Sequence, residues 1–168
     1  SNPKLTRAEI DKRKKALPNC VIEHDLMNGA EIIEADMRIK LGKPGGKLTA
    51  EDMAKLKRLG GGYRGVSDIS PMKAAVNVET ILIDRNQISD LSPLSGLKKL
   101  KYLDATKNRI SDLSPLAGLS ELRELILHAN QITDLTPLAG LSNLQRLRLK
   151  SNPKLTRAEI DKLKKALP

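Results

Sequence analysis

A 22-residue step runs through the middle of the chain. NQISDLSPLSGL occupies residues 86–97, NRISDLSPLAGL residues 108–119 and NQITDLTPLAGL residues 130–141. Stepping back by 22 places VSDISPM, residues 66–72, in the same register, and stepping forward places SNPKL on the last turn of the pattern. One anchor position then reads Leu56, Val78, Leu100, Leu122 and Leu144. A fixed period of this length means that one small structural unit is stacked about five times, each unit burying its apolar face against its neighbours.

Inside each step the wording is L-x-x-L-x-L-x-x-N: VETILIDRN at 78–86, LKYLDATKN at 100–108, LRELILHAN at 122–130 and LQRLRLKSN at 144–152. The x-L-x-L alternation predicts a strand with one buried face, and stacked units hydrogen-bond their strands in parallel. Asn86, Asn108, Asn130 and Asn152 then form a buried ladder, each amide satisfying backbone groups where the chain turns off its strand. The second half, SDLSPLxGL, combines Ser, Asp and Pro turn chemistry with two or three leucines. It is too short for a long helix and predicts a tight 3₁₀-like back wall.

These motifs identify the repeat as leucine-rich. Their 22-residue length and IxDLxPLxxL wording resemble internalin-like bacterial leucine-rich repeat domains over roughly residues 25–168. The resemblance implies an α/β solenoid with a parallel concave sheet, a 3₁₀ and loop convex side, and helical caps. It implies no single function, because one scaffold serves many partners.

A solenoid exposes its core at both ends unless something covers it. Residues 25–58 supply the N-terminal cover. Ile33, Met37 and Leu41 share a helical face with Ile32 and Ala30, Asn28 and Glu31 spell a capping box, and Gly42 is a stop. A second short helix starts at LTAEDM, with Thr49 as cap, Asp52 at the third helical position, and Leu48 and Met53 as a hydrophobic staple. The wording LGKPGGKLTAED resembles the helical N-terminal cap of internalin-like proteins. Residues 56–150 carry the rungs. Residues 151–168 form a C-terminal cap helix: Leu155, Thr156, Glu159 and Ile160 repeat the staple and box, and Ile160, Leu163, Ala166 and Leu167 line one face.

That last segment also occurs at the start of the chain. SNPKLTRAEIDKRKKALP at 1–18 differs from SNPKLTRAEIDKLKKALP at 151–168 only in Arg13 against Leu163. In C-terminal caps of leucine-rich repeat proteins the helix typically runs on as LPNCxI into a short strand, and here that continuation, ALPNCVIE at 16–23, follows the first copy. Residues 1–24 therefore read as a duplicated cap helix plus short strand, as in a permuted or engineered chain; a natural tandem array is the alternative. A guanidinium on the apolar stripe weakens the first copy as a competitor for the cap site, unless its helix packs elsewhere with position 13 facing water. The second copy is expected to hold the cap. The first is expected to extend from the N-terminal cover and meet another molecule's end, so that self-association runs through the terminal segments.

Catalytic and metal chemistry find little support. His24 and His128 have no Cys, Asp or Glu at metal spacing, the single Cys20 has no general base and reads as packing, and LGGGYRG at 59–65 lacks the ending of a phosphate loop. No enzyme, cofactor or metal is expected. Nor is a membrane partner, since no apolar run or signal peptide is visible, and no address can be read. The formal charge of +10 suggests nucleic acid, yet residues 1–18 carry six Lys/Arg against two Asp/Glu and residues 151–168 five against two. The basic excess is mostly one helix written twice, and with no Phe or Trp only Tyr63 and Tyr102 are present to stack on bases, which disfavours that reading.

The concave face offers the best binding surface. Its outward positions are Thr80, Leu82 and Asp84; Tyr102, Asp104 and Thr106; Glu124, Ile126 and His128; Arg146, Arg148 and Lys150. Leu82, Tyr102 and Ile126 are apolar or aromatic on a surface expected to face water, and charge runs from acidic in the earlier rungs to basic in the last. Apolar and Tyr anchors inside a polar rim suit a protein ligand. A merely solvated surface is the alternative.

Overall fold

Each x-L-x trio, with its inward apolar residue at the centre, forms a three-residue strand. A computed structural model describes residues 28–60 and 65–167, together with Ala8. Its strands are β1 (Arg58–Gly60), β2 (Thr80–Leu82), β3 (Tyr102–Asp104), β4 (Glu124–Ile126) and β5 (Arg146–Arg148), joined in that order into one sheet. All pairs are parallel, and Arg58, Thr80, Tyr102, Glu124 and Arg146 stand in register without a slip of the 22-residue step. Equal rung lengths make this inevitable: a one-residue slip would turn every buried leucine outward.

The inward residues Leu59, Ile81, Leu103 and Leu125 are completely buried, as are Ile83, Ala105 and Leu127 just beyond the strands. Past each of β2 to β5 the chain turns through a left-handed residue: Arg85, Lys107, Ala129 or Ser151, with φ of 53° to 60°. The following Asn then points inward. Asn108 Nδ2 donates to the carbonyls of Ala105 in its own rung and Ile83 in the preceding one, while its Oδ1 accepts from Ile88 N–H at 3.0 Å. Asn130 and Asn152 repeat this pattern on Ile110 and Ile132. The amides thus tie successive rungs together as well as closing their own turns.

The back wall is a stack of 3₁₀ turns at Ser70–Ala74, Ser92–Leu94, Ser114–Leu116 and Thr136–Leu138, each with Pro in its first two positions. The aspartate two residues before each turn explains the SDLSP wording. Asp68, Asp90, Asp112 and Asp134 accept from the N–H of Ser70, Ser92, Ser114 and Thr136 at 2.7 to 2.8 Å, satisfying donors that a short turn leaves open. Leu91, Leu94, Leu97 and their equivalents fill the space between sheet and turns.

At the N-terminal end, α1 (Gly29–Leu41) has the complete Asn28–Glu31 capping box and ends on Gly42 at φ 60°. α2 (Ala50–Ala54) has the matching Thr49–Asp52 box. Lys43, hydrogen-bonded to Asp52 with Thr49, holds that carboxyl well below the usual carboxylate range. Ile33, Met37, Met53 and Leu56 close the first rung. Gly60 is required here: at φ 107°, a Cβ would stand 1.9 Å from the Leu82 carbonyl oxygen.

At the other end, α3 (Arg157–Ala166) starts at Thr156, whose side chain accepts from Glu159 N–H, and buries Leu163 beside Leu135 and Ala139. The expected box is only half made. Glu159 turns instead toward Leu135 N–H, at 3.5 Å, and toward Lys162, linking the cap to the last 3₁₀ turn. Apart from Ala8, the first copy with Arg13, and also Cys20, His24 and Tyr63, lie outside the described residues.

Candidate binding face

Because residues at the same repeat position align across the sheet, the concave surface is a grid. One row reads Arg58, Thr80, Tyr102, Glu124, Arg146 and the next Gly60, Leu82, Asp104, Ile126, Arg148. Tyr102 is therefore diagonal to both Leu82 and Ile126, a separation of about 7–8 Å that an aromatic side chain spans. The three form an oblique apolar patch around Asp104.

The grid corrects one expectation. Ile126 does not face water freely: it is only 9% exposed. Asp104 and Arg148 flank it in register and Tyr102 lies on its diagonal, so its neighbours cover it. Leu82 is half-buried because its neighbour on β1 is Gly60, which has no side chain to shield it. Tyr102 is half-buried too. Burial, followed by the negative charges of Asp104 and Glu124, pushes its phenol above the ordinary value and keeps the hydroxyl a neutral donor and acceptor.

The charge gradient is partly cancelled within the sheet. Arg146 Nη1 donates to both carboxylate oxygens of Glu124 at 3.0 Å, and Arg58 puts a cation on the first strand. Asp84 and Asp104 remain toward the early rungs, Arg148 and Lys150 toward the last. Asp104 accepts from Thr106 N–H at 2.9 Å, and His128 Nδ1 accepts from Lys150 N–H at 3.0 Å, which assigns the imidazole proton to Nε2.

One further row belongs to this face. Glu79, Lys101, Arg123 and Gln145 precede the strands by one position, and Lys101 Nζ contacts Glu79 Oε2 at 2.8 Å, which holds the Glu79 carboxyl below its ordinary value. Lys101, Arg123 and Gln145 line a shallow depression with Tyr102, Glu124 and Arg146. Attention to the L-x-L core alone overlooks this row; the recurrence of polar residues at one further repeat position was the available signal. Among the described residues no group of His, Cys, Asp and Glu could hold a metal ion, and no helix is long and apolar enough to cross a membrane.

One parallel strand per 22-residue rung, buried asparagines at the strand exits and 3₁₀ turns behind them define a leucine-rich repeat solenoid with helical ends. The chain belongs to the leucine-rich repeat family: the family model described as Leucine Rich repeats (2 copies) matches residues 76–118 and 120–165. In structure it is similar to an internalin from Listeria monocytogenes, with 35% identity and a TM-score of 0.68 over 72% of this chain and 36% of that one. Internalin C2 from the same organism has 27% identity and a TM-score of 0.53 over 80% and 78% of the two chains. A leucine-rich repeat protein of Leptospira interrogans has 25% identity and a TM-score of 0.64 over 74% and 33%. The chain spans 36% of the first of these and 33% of the last. Comparison with the curated proteins returns no match.

Proposed function

We propose that this chain is a non-catalytic protein-binding module whose concave sheet receives the partner. The observation that carries this reading is Tyr102: half-buried among charged neighbours, it stands diagonal to Leu82 and Ile126 in the sheet and borders the depression it shares with Glu124 and Arg146. Desolvated Tyr residues inside a ring of charged groups are the usual anchors of protein interfaces. The partner that fits presents an apolar side chain to the patch, with cationic groups toward Asp84 and Asp104 and anionic groups toward Arg148 and Lys150. Peptides selected from a random library against the wild-type chain test this. Tyr102→Ser should weaken the selected ligands by roughly 2 kcal/mol, about thirtyfold in affinity. Ligands that ignore Tyr102→Ser and Leu82→Ser would move the site off this face.

A second reading rests on the repeated terminal segment. An engineered scaffold carrying residues 1–18 as a second version of residues 151–168 would exchange the two at the cap site, within one chain or between chains. The burial of Leu163, whose counterpart is Arg13, favours the second copy there. Arg13→Leu should therefore raise exchange. Unchanged protection of residues 157–166 from hydrogen exchange in that variant would count against it.

A further inference from the structure

The row that precedes the strands holds one cation without an answering charge. Lys101 Nζ lies 2.8 Å from Glu79 Oε2, and Lys57 approaches the same carboxylate at 3.7 Å. Arg146 meets Glu124 through Nη1, which leaves its Nη2 and Nε free to donate elsewhere. Arg123 stands in the row between Lys101 and Gln145. It is exposed and, among the described residues, its guanidinium makes no ion pair or hydrogen bond. The Gln145 amide beside it is exposed and equally uncommitted.

The depression these residues line with Tyr102 therefore leans to one sign, with Lys101, Arg123 and Arg146 set against the single carboxylate of Glu124. Guanidinium forks match a planar two-oxygen anion. We propose that the depression receives the carboxylate of an aspartate or glutamate in the bound partner, with Arg123 as the cation that selects it, an inference that rests on the concave face being the binding surface. Glu124 sets how much charge can enter. One unanswered guanidinium beside a resident carboxylate matches a single negative charge. A phosphoryl group carries roughly −1.5 to −2 near neutrality and would bring the excess against Glu124.

The sheet also fixes where the acid sits relative to the apolar anchor. Tyr102 and Glu124 border the depression, and Asp104 and Ile126 stand two positions further along the same strands, in the row of Leu82. Two strand positions are about 7 Å, which an extended partner segment also covers in two residues. A segment running along the strands thus carries its acidic residue two positions from the apolar residue that covers Leu82 and Ile126. Tyr102 borders both places, so the two side chains are read together. Covering Arg123 also strips water from it, which strengthens its pairing with the incoming carboxylate.

The test uses peptides selected from a random library against the full chain, each remade with its acidic residue replaced by the matching amide, by lysine or by phosphoserine. Selected sequences should share an Asp or Glu two positions from an apolar residue. The amide version should bind about tenfold more weakly, the weight of a hydrogen bond to a charged group. Arg123→Gln should weaken the acidic peptide by a similar factor and leave the amide version unchanged. Arg123→Glu should weaken the acidic peptide further and be rescued by the lysine version, a charge reversal that no loss of folding imitates. Peptides sensitive to Tyr102→Ser but indifferent to Arg123→Gln would overturn this inference and leave the concave face standing. Peptides indifferent to Tyr102→Ser, Leu82→Ser and Arg123→Gln would overturn both, as would a library that yields no binder. Tenfold tighter binding of the phosphoserine version, or displacement of the peptides by single-stranded RNA, would assign the depression to phosphate and overturn the carboxylate.

Discussion

Asn108 and Ile88, 20 residues apart and in adjacent rungs, are joined by a hydrogen bond from the Ile88 backbone N–H to Asn108 Oδ1 at 3.0 Å. The same amide reaches the carbonyls of Ile83 and Ala105, so one side chain serves three buried backbone groups. Asn108→Ala should lower the unfolding free energy by about 3 kcal/mol, since each buried group left unpaired costs roughly 1–3 kcal/mol. Urea denaturation measures it. Asn108→Asp keeps the acceptor but loses both donors and should also destabilise; wild-type stability in either variant contradicts the bonding scheme.

Leu163 is 6% exposed against Leu135 and Ala139. Leu163→Arg would give the second copy the residue of the first. It should cost about 3 kcal/mol, the range for losing a buried leucine, with the charge adding to it. Hydrogen exchange should show residues 157–166 fraying before the central rungs. Equal protection throughout would place position 163 outside the energetically significant cap.

Gly60 stands where any side chain strikes the Leu82 carbonyl. Gly60→Ala should separate β1 from β2 locally, and the amides of residues 80–82 should lose protection while those of residues 124–126 keep theirs. A drop in melting temperature should accompany this.

Ala129 holds a left-handed backbone at φ 53°, an arrangement that costs an L-residue roughly 1–2 kcal/mol. Ala129→Gly relieves that strain but adds unfolded-state entropy of roughly 0.5–1 kcal/mol. A net gain of about 0.5 kcal/mol is expected in thermal or urea unfolding, and destabilisation would show that the Ala129 methyl contributes packing.

Acid should loosen the back wall. Side-chain and backbone bonds from Ser114 hold the Asp112 carboxyl below its ordinary value, and those from Thr136 do the same for Asp134. A carboxylate with a depressed folded-state pKa contributes its stability above the unfolded pKa, about 4, and loses it as pH falls through the lower folded value. Stability should be flat near neutrality and decline below about pH 4. Replacing both aspartates by asparagine keeps the amide acceptors without the charge and should flatten part of that decline; an unchanged acid limb would assign it to other carboxylates.

Much of this architecture is written in local spacing. A constant 22-residue step dictates strand register, since each rung sets the next at the same height. The Asn28–Glu31 and Thr49–Asp52 pairs define their helix starts within one turn, and Pro after the aspartate marks each 3₁₀ turn. Those interactions close within a few residues, so the order of residue types suffices. What depends on neighbours across the stack needed the tertiary structure. Ile126 and Leu82 occupy equivalent concave positions, yet one is sealed between Asp104 and Arg148 while the other stands beside a glycine. Glu159 left its expected cap partner for the backbone of Leu135, in a rung 24 residues earlier. The asparagine ladder was legible as buried, but not that each amide serves the rung before it. Leu147 and Leu149 carry the same letters as their sealed counterparts and remain half-open, because burial belongs to the surface a residue is packed against, and in a solenoid that surface is the next rung.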